Sequence, residues 1–319
     1  NDQSTTQGLH DFGVDFIQSI HQVEVYVGPN GAHFGPNAIG GAINLITAGD
    51  FKNSLEISGS NNENKSIFAN HTSLTNDGWL INTKGALVES MTKSAIIGGI
   101  EKDKVKNFSA NLNTEKWIND DIKFRSTIYA RDTFTQYDGS TNSENGYEGQ
   151  NLMYATQVGL DYKNKNFNDY ITIHFNGYDR EYDELGVIDE YDSKSFVVRS
   201  ERQVNQNDNF SFGFGAEYKY DVGKFQNRGS YSSSTEGHVD NQGLFANLGF
   251  RPKEDLFISL YGRSDKHQTT GTNITKKLNI TKMFHQFKIG FTHSTGLRNP
   301  SLYELYGTDN YGYSGNSNL

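Results

Sequence analysis

Residues Gln22 to Thr47 read QVEVYVGPNGAHFGPNAIGGAINLIT. Val23, Val25 and Val27 alternate with Glu24 and Tyr26, the period-two pattern of a half-buried strand. Ala42 to Ile46 is a short apolar run that suits a second strand, buried on both faces. Between them stand Gly28, Pro29, Gly31, Gly35, Pro36, Gly40 and Gly41. Glycine at this density marks backbone at positive φ, or packed too closely for a Cβ. The stretch is therefore strand, glycine-broken turn, strand. Two phosphate-binding readings fail on it. Gly35 and Gly40 have P-loop spacing, but Gly41 and Ala42 stand where Lys and Ser/Thr belong, and no G-x-G-x-x-G occurs.

Downstream, from Ser54, the pattern becomes one of hairpins. Phe210, Phe212, Phe214, Ala216, Tyr218 and Tyr220 alternate with Ser211, Gly213, Gly215, Glu217 and Lys219. Ile171, Ile173 and Phe175 oppose Thr172, His174 and Asn176. Phe124, Ile128 and Ala130 oppose Arg125, Thr127, Tyr129 and Arg131. Alternation alone does not say which face is wet: a soluble sandwich hides its apolar face, while a membrane barrel shows it to lipid. Strands of about ten residues or more, as a tilted bilayer crossing needs, favour the barrel. So do polar faces carrying Arg, Lys, Glu and His. Connection lengths also alternate. Short ones fall near Asn76-Asp77, Ile118 to Asp121, Asn164 to Asn168, Asn207-Asp208 and Pro252 to Asp255. Long polar ones are expected at Asp132 to Leu152, Asp179 to Ser193 and Gln226 to Asn241. That asymmetry is the outer-membrane pattern.

The 319 residues include 18 Tyr, 21 Phe and no Cys, with a formal net charge of -9. Disulfide scaffolds, thiolate metal sites and thiol catalysis are excluded. Without clustered Lys and Arg, nucleic acid is not an expected partner. No apolar run approaches the roughly 18 residues of a membrane helix. Gly-x-Ser-x-Gly is absent and a Ser-His-Asp triad cannot be assembled from spacing alone, so an enzyme is not expected.

The opening stretch resembles the end of the plug domain of TonB-dependent outer-membrane receptors. Ile20, Val23, Glu24, Val25, Gly28, Pro29, Gly35, Ala38, Gly40, Gly41, Ile43, Asn44, Ile46 and Thr47 match that family's pattern. Gln22 and Val27 stand where the family usually has arginines, which are thought to pair with carboxylates on the barrel wall. Phe34 replaces a tyrosine. Near the C-terminus, Leu297 to Gly307 (LRNPSLYELYG) and Asn316 to Leu319 are similar to a second family signature, with departures at Leu297, Asn299 and Ser317.

The resemblance implies an all-β fold: a transmembrane antiparallel β-barrel, about thirteen of twenty-two strands, with the C-terminal part of a plug. Residues 1–50 would be plug and 51–319 barrel, a partial chain lacking the first plug segment and the TonB-contacting box. Asn1 to Phe16 would be the tail of an earlier plug segment. An unclosed barrel leaves a strand edge that lipid does not solvate, so such a fragment is not expected to fold alone. The function implied is TonB-dependent import across the outer membrane of a Gram-negative bacterium, powered by the TonB-ExbB-ExbD complex. Strand-loop rhythm most resembles the cobalamin receptors; a ferric-siderophore receptor is the alternative, and a passive porin or barrel-borne hydrolase the reading from other classes.

The plug apex Asn30, Gly31, Ala32 and His33 would face the substrate from below, although His33 is equally an ordinary turn histidine. Cobalamin receptors use calcium in acidic outer loops. Oxygen-only clusters suit Ca²⁺, and Asp138, Asp183 and Asp192 are the candidate ligands; solvated loop carboxylates are the plainer reading. His174, His285 and His293 are expected on polar, lumen-lining strand faces.

Overall fold

The computed structural model describes residues 3–5, 8, 10, 20–47, 49, 52–60, 63–94, 96, 101–139, 146–207, 209–229 and 232–319. Most of residues 1–16, Glu144 and Asp208 lie outside that set. Strand β1 (Gln22–Val27), the single turn α1 (Gly31–Phe34) and β2 (Gly41–Ile46) form an antiparallel two-stranded hairpin unit. Gly41 has φ 147°, and a Cβ there would lie 2.3 Å from the Tyr26 carbonyl oxygen. Only glycine closes this hairpin. Its β2 run was expected to be buried on both faces, but Ile43 is exposed. Val23, Val25 and Val27 are exposed too, because no described element covers the valine row.

Among the described residues, thirteen strands then pair strictly in sequence order in one antiparallel sheet. They are β3 (Ser54–Gly59), β4 (Lys65–Leu74), β5 (Leu80–Lys93), β6 (Lys102–Trp117) and β7 (Ile122–Gln136). After them come β8 (Tyr147–Lys163), β9 (Phe167–Glu184), β10 (Val187–Asn207) and β11 (Phe210–Asn227). The remainder are β12 (Ser233–Lys253), β13 (Leu256–His267), β14 (Gly271–Met283) and β15 (Lys288–Ser294), followed by α2 (Leu302–Tyr306).

The sheet is apolar outside and polar inside. Phe214, Tyr218 and Tyr220 are exposed, as are Ile171, Ile173 and Phe175 on β9. The buried side chains are mainly polar, among them Asn82, Asn113, Arg131, Arg263 and Asp265. Asn82 donates to Asn70 at 2.7 Å, and Thr127 donates to Asn113 at 2.9 Å, so inward groups satisfy one another across β4 to β7. A water-soluble sheet would reverse this polarity; a membrane barrel wall requires it. Aromatic rings gather at the short-turn end. Lys123 and Lys163 lie 5.8 and 5.0 Å from the Trp117 ring, Trp79 packs on Phe124, and Phe284 stacks on Phe287. Such rings mark the level where hydrocarbon meets headgroups.

Two of the expected long connections are mostly strand. β9 and β10 run through residues 179–193 except for a turn at Leu185-Gly186, and β11 and β12 cover most of 226–241. β10 and β12 have 21 residues each, about twice a bilayer crossing. Past that length the outer face carries polar residues and the inner face packs around Phe225 and Val239, so the apolar-out alternation stops while pairing continues. The first expected loop shrinks likewise to the residues between Gln136 and Tyr147.

Candidate functional site: the inner face and its mouth

The hairpin unit docks on the polar face of the sheet. The Asn30 side chain donates to the Gly28 carbonyl at 2.8 Å, holding the turn that presents α1, and its Oδ1 accepts from Lys277 on β14. Gly31 rests on Thr275 and Gly35 on Arg263. His33 meets Tyr261 edge-on at 5.6 Å and Phe34 at 4.5 Å. At the far end of the hairpin, Lys84 donates to the Thr47 carbonyl at 2.7 Å and Asn111 to its hydroxyl at 3.2 Å. Asn37 donates its backbone N–H to Leu297 and accepts from that of Asn299, both at 2.8 Å. Asn30, Gly31 and Ala32 are therefore buried against the wall while His33 keeps contact with solvent, and partial desolvation of its ring, with the Arg199 charge, holds the imidazole below its ordinary pKa.

Beneath α1 lies a charged network that belongs to the wall alone. The Arg263 guanidinium donates to Asp265 at 2.8 Å and to Glu217 at 2.7 Å. Arg199 donates to the other Glu217 oxygen at 3.2 Å and to Glu201 at 2.9 Å. Gln22 and Val27 lack the expected arginines, and here the wall carboxylate Glu217 is neutralised by arginines of its own sheet. A cavity of about 250 Å³ separates His33 from Arg199, Glu201 and Phe245. A second, of about 330 Å³, lies between Phe34, Asn37, His174, Asp221 and His267.

After β15 the chain turns back over the inner face. Ser301 and Glu304 cap α2 reciprocally, and Arg298 grips Glu304 with two hydrogen bonds of 2.8 and 2.7 Å. Leu302, Tyr303 and Leu305 close a small apolar core with Phe225 and Val239. Above this core stands a mouth of tyrosines. The Arg180 guanidinium lies 5.9 and 5.2 Å from the Tyr182 and Tyr191 rings. Tyr137 packs on Tyr147 and Tyr182, and Tyr303 stacks on Tyr313 at 4.8 Å. The Tyr311 hydroxyl donates to Glu184 at 2.6 Å, and that carboxylate pushes the phenol up to about 12.

The three candidate calcium ligands do not converge. Asp138 joins Glu101 and Asp103, one ligand oxygen from each lying within 4.8 Å of the others. Asp192 pairs with Asp179 on the outward face, where Asp183 also lies, receiving the Gly186 N–H at 2.7 Å. One-residue alternation decides this: even positions of β10 and odd positions of β9 point outward. His174 does line the inner cavity. His285 lies in the turn before β15, and His293 stands opposite Leu278 on the outward face, sharing its parity with Phe291. Reasoning from sequence missed the Arg199–Glu217–Arg263 network. Its trace was present as Arg-x-Glu and Arg-x-Asp, same-face pairs at Arg199/Glu201 and Arg263/Asp265.

Comparison with known proteins agrees with this architecture. The family model for TonB dependent receptor-like β-barrels matches residues 28–319. The vitamin B12 transporter BtuB of Photobacterium profundum is 24% identical over 328 residues, covering 99% of this chain and 52% of the relative. The siderophore receptor PirA from Acinetobacter baumannii has a TM-score of 0.77 at 14% identity, over 96% of this chain and 53% of that one. The copper transporter OprC gives 0.75 at 12% identity, over 91% and 52%. Likeness at such identities shows the fold alone. This chain spans about half the length of the relatives it matches. With thirteen strands in sequence order, inverted polarity and a family match over most of its length, the chain belongs to the TonB-dependent receptor-like β-barrel family.

Proposed function

We propose that the protein is an active transporter of a Gram-negative outer membrane, in which residues 1–50 supply the end of a plug and 51–319 the first part of the barrel. The observation that carries this reading is the hairpin seated on the polar inner face below a tyrosine-lined mouth. Capture is then the work of the mouth and the apex Asn30, Gly31, Ala32 and His33. Release follows when force from a TonB-ExbB-ExbD complex draws the hairpin from the wall. Hydrogen bonds, ring contacts and glycine packing join it to the wall, a seam that can part without separating the Glu217 ion pairs.

Cobalamin is the ligand this reading favours, supported by the BtuB relative aligned along the chain. Calcium would serve it at Glu101, Asp103 and Asp138. Oxygens within 4.8 Å of one another fit an ion that takes ligands at about 2.3–2.6 Å. A ferric siderophore is the second reading, supported by phenol-rich walls suited to a bulky polar chelate. Calorimetric titration of the full-length protein with cyanocobalamin, with and without calcium, separates the two. Heat with cyanocobalamin supports the first; no heat, alongside tight binding of a ferric chelate, moves the ligand to the second.

A further inference from the structure

Charge at the tyrosine mouth is one-sided. Every lysine and arginine of the chain falls within the described residues, and of these Arg180 alone lies against the mouth's rings. Its guanidinium also donates to the Ser4 carbonyl and hydroxyl at 2.8 and 2.9 Å. Arg228 is paired with Glu190, and Arg298 with Glu304. Against that one cation stand Glu184, Asp189 and Asp309, whose partners are neutral donors. Tyr311 donates to Glu184, the Asn227 amide to Asp189, and Tyr303 to Asp309 at 3.0 Å. The other Asp309 oxygen accepts the Tyr311 and Tyr313 backbone N–H groups, both at 2.9 Å. Burial raises the Asp189 pKa, the Asn227 bond opposes that, and repulsion from Asp309 and Glu184 adds to it. The three carboxylates thus feel one another, and no described cation pairs with them. The rings suit positive charge as well. Tyr147, Tyr137, Tyr182, Tyr191, Tyr303 and Tyr313 touch in series at 5.8, 6.4, 6.1, 5.9 and 4.8 Å. Arg180 rests on two of them, so this wall already holds a cation where the chain supplies one. Tyr311 and Tyr313 are exposed beside Glu184 and Asp309, with no cation of the chain on them.

We propose that this mouth selects its ligand by charge, taking one that presents a cationic group to Glu184, Asp309 and the Tyr311 ring. A ring face backed by a carboxylate attracts a cation, and the same field repels an anion of equal bulk. Among corrinoids the mouth then favours a cationic derivative over a neutral one. Among ferric chelates it favours a cationic hydroxamate over an anionic catecholate. The inference rests on the reading that the mouth captures the ligand.

The test titrates the full-length protein in detergent with two pairs of probes, each pair differing by one ammonium group. One pair is an aminoethyl derivative of cyanocobalamin and its N-acetyl form; the other is ferrioxamine B and its N-acetyl form. In whichever pair binds, the cationic member should bind about fivefold more tightly at low salt. The gap should close in about 0.5 M salt. Glu184→Gln should narrow it while leaving affinity for the acetylated member unchanged. Tyr311→Phe, which keeps the ring, should hold the preference, and Tyr311→Leu should reduce it. Equal or tighter binding of the acetylated member overturns the proposal, as does a preference that survives Glu184→Gln. Tight binding of an anionic ferric tris-catecholate, with none of the four probes bound, also overturns it but leaves the capture reading standing. No heat from any of the five ends the capture reading, and this inference with it.

Discussion

Gly35 of the hairpin lies flat on the guanidinium of Arg263, so that a Cβ there would sit 3.2 Å from both Cζ and Nη2. Its φ of 85° with ψ of -171° belongs to a region that side-chain-bearing residues avoid. Both constraints act together, one on the backbone and one on the partner. Gly35→Ala should therefore cost about 1–3 kcal/mol of hairpin docking. Limited proteolysis of the full-length protein reads it, as faster cleavage within residues 28–40 while the sheet stays protected. Cleavage at the unmutated rate would show that the hairpin does not depend on this contact.

Arg263 is itself almost fully buried and bound to two carboxylates. Removing it leaves Glu217 and Asp265 short of a counter-charge inside the wall. Arg263→Ala should destabilise the sheet by about 3–5 kcal/mol, the usual penalty for half of a buried pair. Adding Glu217→Gln should recover part of that loss, because Arg199 then has one fewer carboxylate to balance and the two sites are coupled. The temperature at which the folded band disappears in semi-native electrophoresis gives both numbers. Simple additivity of the two substitutions would argue against a shared network.

His33 makes the docking sensitive to acid. Partial desolvation comes first among the causes that lower its pKa, followed by Arg199; Glu201 opposes them and Lys277 adds to them, and because His33 is still exposed, solvent screens the effect and keeps it small. The unfolded imidazole titrates near its ordinary value, roughly 6.5, so below that pH the undocked state binds more protons than the docked one. Docking strength is thus fully present above that value and declines as pH falls through the window beneath it. Proteolytic release of the hairpin should quicken between pH 7.5 and pH 5.5, and His33→Gln should flatten the dependence. A slope that survives the substitution would assign it to another group.

Much of this wall could be read from the chain because lipid on one side and polar groups on the other enforce period two. Phe210 to Tyr220 and Phe124 to Arg131 show it, and the sheet places them as expected. Legibility ended where that contrast ends. Asp179 to Ser193 is strand apart from the Leu185-Gly186 turn, yet polar residues occupy both faces, with Asp189 and Ser193 buried inside and Glu181 and Asp192 outside, so nothing in its polarity distinguishes it from a loop. The valines of β1 misled for a different reason, since alternation gives a face but not what covers it. Ion pairs between neighbouring strands depend on register, so Arg263 could be paired with Asp265 from sequence but not with Glu217. Candidate metal ligands suffered most, because Asp183 and Asp192 lie on the opposite side of the sheet from Asp103, beyond the reach of composition.

That separation makes the calcium proposal testable residue by residue. Glu101, Asp103 and Asp138 gather like charges at the mouth side of β6, and Ser94 donates to both oxygens of Asp138 at 3.0 Å. Burial and the neighbouring Asp138 raise the Asp103 pKa, which opposes having all the carboxylates ionised. A divalent cation would relieve that repulsion, so binding should strengthen as pH rises and the carboxylates lose their protons. Millimolar calcium should raise the midpoint of thermal unfolding by several degrees at pH 7.5 and by less at pH 5, with a chelator reversing it. Asp103→Asn or Asp138→Asn should abolish the rise, whereas Asp183→Asn and Asp192→Asn should leave it intact. An equal response in all four variants would remove calcium from this site.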